Sequence, residues 1–195
     1  RLGAVVVWVP GERDAREAFR TGLLGQLPSD DPIDRVTYLD GLRIITLDTS
    51  VPGFHHGELS HSQRDWLTDE LAIPAPYGTI IAMHHPPLAL GIPSMDQFAL
   101  RDAEAFWAVI APHRARIRHL FFGHLHRPIG GNWRGIPFSC TASPNHQVAL
   151  DLATLRGDEV PGCREPAGYA VILIDADKVV VHHQQLFNGE TSFWL

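Results

Sequence analysis

The stretches TIIAMHHPP (residues 79–87) and IRHLFFGHLH (residues 117–126) decide the fold that we predict for this chain. Each begins with a short and mostly apolar run, which is typical of a strand buried on both faces of a sheet. Each run leads directly into histidines, with Pro following in the first stretch and Gly preceding in the second. Because ligands collect at the carboxyl ends of strands in layered α/β proteins, these histidines predict a binding site at one edge of a sheet.

Strand and helix signals extend on both sides of these two stretches. Apolar runs separated by turn signals predict further strands over residues 4–9, 36–39, 42–47, 129–133, 136–140, 169–174 and 179–183. Apolar side chains at helical spacing predict helices over residues 14–24, 59–71 and 102–110. Asp40-Gly41 is a hairpin signal, and residues 155–166 are the most loop-like segment. The pattern predicts an α/β (α+β) fold, a layered sandwich of mixed β-sheets flanked by helices.

The composition is that of an ordinary globular chain, and its 195 residues predict a single domain over residues 1–195. The net charge of −6 provides no electrostatic basis for a nucleic-acid or membrane-surface partner. No apolar run approaches the length of a membrane span. Cys140 and Cys163 are too few for a disulfide scaffold, so we expect a cytoplasmic protein with two free thiols.

Three of the twelve histidines have a context that favours metal binding. His84 ends one predicted strand, while His124 and His126 follow another. Three imidazoles at strand ends suit a transition metal such as Zn, Mn or Fe, and Gly123 allows the backbone to turn sharply before them. The alternative, hydrogen-bonded polar residues at strand ends, would be favoured for a single histidine. The pairs His55-His56 and His182-His183 lack such a context, and we interpret them as surface or strand-face residues.

Together, residues 83–87 (MHHPP) and 123–126 (GHLH) resemble the last two metal motifs of the calcineurin-like metallophosphoesterases. The narrower resemblance is to the class III cyclic-nucleotide and glycerophosphodiester phosphodiesterases. It implies that His84 and His124 are ligands of one metal ion and His126 of another. It also implies a small phosphodiester substrate, two divalent ions (Fe, Mn, Zn or Co) and a metal-bound hydroxide as the nucleophile.

The third metal motif of that family, Gly-Asn-His-Asp, corresponds here to residues 11–14 (GERD). Glu12 stands where an Asn ligand is expected, and the resemblance implies that its carboxylate binds metal. Arg13 stands where a histidine near the leaving group is expected, which implies a catalytic residue that clamps phosphate. The alternative for Arg13 is an ion pair with Glu12 or Asp14.

Two further histidines lie in segments that resemble the substrate side of the family's site. His85 belongs to residues 84–91 (HHPPLALG), which implies substrate binding, although a surface or supporting position is the alternative. His146 lies in residues 145–148 (NHQV), which implies a catalytic or substrate contact. An ordinary loop histidine is an equal alternative for His146.

The first two metal motifs of the family, Asp-x-His and Gly-Asp, are not in place in this sequence. Since the chain opens directly in the strand-like run of residues 4–9, we expect the N-terminal part of the fold to be missing. Three interpretations remain open: loss of an N-terminal part from a working phosphodiesterase, supply of the missing half by another chain in a homo-oligomer, or a degenerate relative that binds without turnover. The first explains most with fewest assumptions.

Overall fold

The computed structural model of the chain describes residues 3–153, 157 and 159–186. Its centre is a six-stranded sheet with the strand order β1-β2-β3-β4-β6-β5. The six strands are β1 (Arg35–Leu39), β2 (Leu42–Leu47), β3 (Thr79–Met83), β4 (Ile117–Phe122), β5 (Ile129–Trp133) and β6 (Ile136–Cys140). Strands β2, β3, β4 and β6 run parallel, whereas β1 and β5 pair antiparallel at the two edges.

The helices of the described residues are α1 (Arg16–Phe19), which continues as a π turn (Arg20–Leu24), α2 (His61–Ala72), α3 (Pro93–Asp96) and α4 (Ala103–Ile110), which continues as a 3-10 helix (Ala111–Arg116). Helix α2 begins at a capping box, in which Ser60 accepts from the backbone N–H of Gln63 and the Gln63 side chain accepts from the backbone N–H of Ser60. This reciprocal pairing satisfies two otherwise unpaired donors at the start of the helix. None of the described helices has the length and apolarity that crossing a bilayer requires.

The hydrophobic core lies between these helices and one face of the large sheet. Leu67 of α2 and Phe106 of α4 are fully buried there, against central strand residues such as Ile45, Ile81 and Leu120. A hairpin of β9 (Gly168–Ile174) and β10 (Val179–Gln185) shares a cavity with strands β4 and β6. The structure thereby confirms a layered fold of mixed sheets with flanking helices.

Most predicted elements occur within a few residues of their expected bounds, but one expectation is wrong. Residues 4–9 form no strand, because a strand depends on a hydrogen-bonded ladder and no strand in the described part of the chain pairs with them. Val5 and Val6 are each 62% exposed. Within the expected loop at 155–166, β8 (Gly162–Cys163) pairs with β7 (Gln147–Val148), whereas residues 154–156 and 158 lie outside the described part of the chain.

Candidate active site

The candidate site lies where parallel strands of the large sheet end together. Leu47, Met83, Phe122 and Cys140 are the last residues of β2, β3, β4 and β6, and each pairs with the next across the sheet. The residues that follow these strand ends therefore emerge side by side at one edge of the sheet. This register brings together the histidines that lie 40 residues apart in the two deciding stretches.

Glu12, His84 and His124 form the centre of the site. The Glu12 Oε2 atom lies 2.6 Å from His84 Nε2 and 3.8 Å from His124 Nδ1, and the two ring nitrogens are 3.2 Å apart. Donor atoms held about 2.1 Å from one tetrahedral ion lie about 3.4 Å apart, so these spacings suit a shared metal ion. The convergence of His84 and His124 expected from the strand ends is thus confirmed.

The electrostatics of this cluster keep Glu12 charged. Burial alone would raise the pKa of the Glu12 carboxyl, but hydrogen bonds to His124 and His84 and the charge of His84 lower it far below its usual range. Burial lowers the pKa of His124, which favours the neutral ring that a metal ligand requires. The donor set that converges here, a carboxylate oxygen and two imidazole nitrogens, fits a divalent transition metal.

His85 lies behind this centre and is fully buried. Its ring also lies within 4.8 Å of the ligand atoms of Glu12, His84 and His124. However, its Nε2–H group donates to the carbonyl of His55 (3.1 Å), so its Nδ1 atom accepts from the Thr49 hydroxyl (2.7 Å). With both nitrogens engaged, His85 supports the cluster. Burial lowers its pKa to about 3, so the ring is neutral.

The loop after β4 has a backbone conformation that L-residues seldom adopt. His124 has a φ angle of 62° and His126 one of 50°, in the left-handed region that disfavours side chains with a Cβ atom. Leu125 between them is fully buried and anchors the loop to the core. A Cβ atom on Gly123 would lie 2.9 Å from His84 Nδ1, so only glycine allows this close approach. Such strain is typical of functional sites.

His126 and His146 form a second pair beside the centre. The Nδ1–H group of His126 donates to the carbonyl of His146 (3.0 Å), which leaves the His126 Nε2 atom as the one with a free lone pair. Metal-binding histidines commonly donate their other ring N–H to a carbonyl in this way. The two rings lie edge to face with centroids 4.5 Å apart, and burial followed by the charge of His146 lowers the pKa of His126.

A cleft of about 390 Å³ opens beside these residues. Arg13 lies at its mouth, where its side chain is 78% exposed and its Nε atom is 3.5 Å from Glu12 Oε1. The cleft is lined by both polar and apolar residues, namely Glu12, Arg13, His55, His124, His126, His146, Met95, Phe98, Val148 and Val160.

Three residues of this region had no functional role predicted from the sequence. His55, interpreted as a surface residue, lines the cleft and accepts from His85 through its carbonyl. Thr49 holds His85, and its position two residues beyond the end of β2 was a signal that could have identified it. Phe98 lines the cleft from a segment that carries no motif.

No family model matches the chain. The chain is 42% identical over 194 residues to a cAMP/cGMP dual specificity phosphodiesterase of Mycobacterium tuberculosis, an alignment covering 98% of this chain and 58% of the relative. It is 33% identical over 168 residues to the 3′,5′-cyclic adenosine monophosphate phosphodiesterase CpdA of Escherichia coli, covering 83% of this chain and 58% of the relative. A third relative, the "Probable glycerophosphodiester phosphodiesterase GpdQ" of Arcobacter nitrofigilis, is 36% identical over 111 residues, covering 57% of this chain and 41% of the relative.

Proposed function

We propose that this chain hydrolyses small phosphodiesters in a metal-dependent reaction. It is homologous to the cyclic nucleotide phosphodiesterases and so belongs with the calcineurin-like metallophosphoesterases. The observation that carries the proposal is the convergence of Glu12, His84 and His124 at the strand ends. The chain spans 58% of the length of each of the two cyclic nucleotide phosphodiesterases compared above.

In this proposal, Glu12, His84 and His124 hold one divalent transition-metal ion, and the Nε2 atom of His126 contributes to a second. When bound, such ions polarise phosphoryl oxygens and lower the pKa of the water that they bind. Glu12 supplies a negative charge where the family has a neutral Asn, so it offsets more of the positive charge of the ions. The Thr49–His85 hydrogen bond keeps the ligand rings in place from behind.

Two residues at the cleft act on the substrate. The guanidinium of Arg13 is exposed at the mouth, where it can bind two phosphoryl oxygens at once. His146 is exposed beside His126, and its imidazole donates a proton to the leaving ester oxygen. His85, proposed from the sequence as a substrate contact, acts in this arrangement by positioning the ligands.

Hydrolysis of bis(p-nitrophenyl) phosphate with added Mn²⁺ tests the proposal, using the wild-type chain, His124→Ala and the control His182→Ala. His182 lies exposed on β10, away from the cleft, so its loss should leave turnover unchanged. We expect His124→Ala to lower turnover by more than about 100-fold, because loss of a ligand should exceed the roughly 10- to 100-fold effect of losing an outer partner. Equal background rates in all three proteins would refute hydrolysis and favour a relative that binds without turnover.

A further inference from the structure

We infer that Arg16 is a positioning residue, which ties the turn that carries Glu12 to the end of β2 and so keeps the Glu12 carboxylate beside the two histidines. This turn, called the Glu12 turn below, comprises residues 11–14. The inference rests on the proposed function, because it takes Glu12, His84 and His124 as the ligands of a metal ion. Arg16 lies outside the four residues that resemble a metal motif, so the resemblance gives it no role.

The Glu12 turn is closed by its own hydrogen bonds. The Gly11 N–H donates to the Asp14 carboxylate (2.8 Å), and the Asp14 N–H donates to the Gly11 carbonyl (3.1 Å). These bonds set the shape of the turn but not its place, because both partners belong to the turn. Residues 4–9 precede the turn and pair with no strand in the described part of the chain. The sheet therefore does not fix the turn from that side.

Arg16 fixes the turn from the other side. It is the first residue of α1, two residues after the turn, and its side chain is only 12% exposed. Its Nε atom donates to Asp48 Oδ2 (2.8 Å), its Nη2 atom to the Ser50 carbonyl (2.8 Å) and its Nη1 atom to the Asp30 carbonyl (2.9 Å). A planar guanidinium with three partners has one orientation, which limits how far the attached backbone can move.

The Asp48 carboxylate that Arg16 binds is itself held firmly. Asp48 directly follows β2 and is fully buried. Its Oδ1 atom accepts from the backbone N–H (2.9 Å) and the hydroxyl (2.6 Å) of Ser50, and its Oδ2 atom accepts from the Ile33 N–H (3.1 Å) as well as from Arg16. Arg16 thus binds a group that cannot readily follow a movement of the turn.

This contact places Glu12 relative to His84. The last residues of β2 and β3 pair across the sheet, so Asp48 and His84, which follow them, emerge side by side. The turn approaches His84 closely, since a Cβ atom on Gly11 would lie 3.1 Å from His84 Cε1. A group in a binding site must be held within about 0.5 Å of its productive position. Arg16 meets this requirement by tying the turn to the strand end beside the one that carries His84.

Calorimetric titration of Zn²⁺ into Arg16→Met and the control Arg20→Met tests the inference. Arg20 belongs to the π turn that continues α1, and it also donates to backbone carbonyls, those of Asp31 (2.8 Å) and Pro32 (3.0 Å), rather than to the end of β2. We expect Arg16→Met to lower the Zn²⁺ affinity by about 10- to 100-fold, the range for loss of a group that orients a metal ligand. Arg20→Met should change it by less than about twofold, as a substitution away from the site does.

The same substitution in a Glu12→Ala chain separates positioning from a general loss of structure. Zn²⁺ binds imidazole sites more tightly than Mn²⁺, so the histidines that remain in Glu12→Ala can still be titrated. If Arg16 acts through Glu12, its loss matters only while Glu12 is a ligand. We therefore expect Arg16→Met to change the Zn²⁺ affinity of Glu12→Ala by less than about twofold. An equal loss in both backgrounds would overturn the inference, because Arg16 would then support the fold as a whole.

Arg16→Met leaves a buried carboxylate without its cation, so thermal unfolding of the metal-free variants checks that they fold. Arg16→Lys keeps a positive charge beside Asp48 but lacks the planar fork, and it decides the matter if Arg16→Met does not fold. We expect Arg16→Lys to bind Zn²⁺ more weakly than Arg20→Met does, and wild-type affinity in Arg16→Lys would overturn the inference. If Glu12→Ala weakens Zn²⁺ binding but the Arg16 variants do not, only this inference fails. If Glu12→Ala binds Zn²⁺ as tightly as the wild-type chain, the metal site of the proposed function fails with it.

Discussion

The hydrogen bond between Thr49 and His85 permits a quantitative prediction. Thr49 and His85 are both 0% exposed, and the Thr49 hydroxyl donates to His85 Nδ1 (2.7 Å) while accepting from the His85 backbone N–H (3.3 Å). Thr49→Val keeps the shape of the side chain but removes the hydroxyl. An unpaired buried polar atom costs about 1–3 kcal/mol, and the longer backbone contact adds little. We therefore expect a loss of about 2 kcal/mol in the free energy of unfolding, or about 4–8 °C in Tm.

The same substitution should weaken metal binding. The His85 ring packs against two neighbouring imidazoles, with its centroid 4.9 Å from that of His84 and 4.7 Å from that of His124. Without the Thr49 hydroxyl, the His85 ring keeps only its hydrogen bond to the His55 carbonyl, so it is held less firmly against its two neighbours. Loss of such outer support lowers metal affinity by about 10- to 100-fold, and we expect that range for Mn²⁺.

Urea unfolding and Mn²⁺ titration calorimetry of three variants check both effects. Thr49→Ser retains a hydroxyl and should recover most of the unfolding free energy and of the Mn²⁺ affinity. Thr68→Val removes an exposed hydroxyl of α2 that bonds only to its own helix, and should change neither quantity by a comparable amount. A loss below about 0.5 kcal/mol in Thr49→Val would refute the reasoning. A Thr49→Ser variant as unstable as Thr49→Val would also refute the reasoning, because packing rather than the hydrogen bond would then explain the loss of stability.

Two further predictions concern Asp34 and Gly123. Burial raises the pKa of Asp34 to about 6 from 3.8, so the folded state disfavours its charged form and loses stability as the pH rises from about 4 through 6. Asp34→Asn retains the oxygen that accepts from the Asp48 N–H. By urea unfolding, it should add up to about 3 kcal/mol to the free energy of unfolding at pH 7 but almost none at pH 4. An equal gain at both pH values would contradict this. Gly123→Ala would place a Cβ atom 2.9 Å from His84 Nδ1 and should lower the Mn²⁺ affinity measured by calorimetry. The control Gly130→Ala, with no atom within 4 Å of its added Cβ, should leave that affinity unchanged. Unchanged Mn²⁺ affinity in Gly123→Ala would show that the His84 ring can shift without effect.

The large sheet and the histidines at its strand ends could be predicted from the sequence because their signals are local. The apolar runs of β3 and β4 mark buried strands, and the residue after each run must emerge at the strand end. Adjacent parallel strands end at the same edge, which is why His84 and His124 converge as expected. The turn at Asp40-Gly41 was equally local, since both residues adopt the positive φ angles that such a hairpin requires.

Residues 4–9 show where local signals fail. Their apolar, β-branched run has the composition of a buried strand, yet Val5 and Val6 remain exposed. Hydrophobicity and strand propensity are properties of a segment, whereas a strand also requires a partner with free N–H and C=O groups. The pairing of residues distant in the chain is not encoded in either segment alone.

By itself, the sequence determined the strands, the histidines at their ends and the family that these motifs resemble. Only the tertiary structure decided that Glu12 reaches His84, that Thr49 and His55 engage both nitrogens of His85, and that Phe98 faces the cleft. The physical reason lies in the loops: a strand end has a direction set by its sheet, but the path of a loop depends on the long-range contacts that pack it. The cleft is formed largely by such loops, and so its specificity emerges only when the chain is folded.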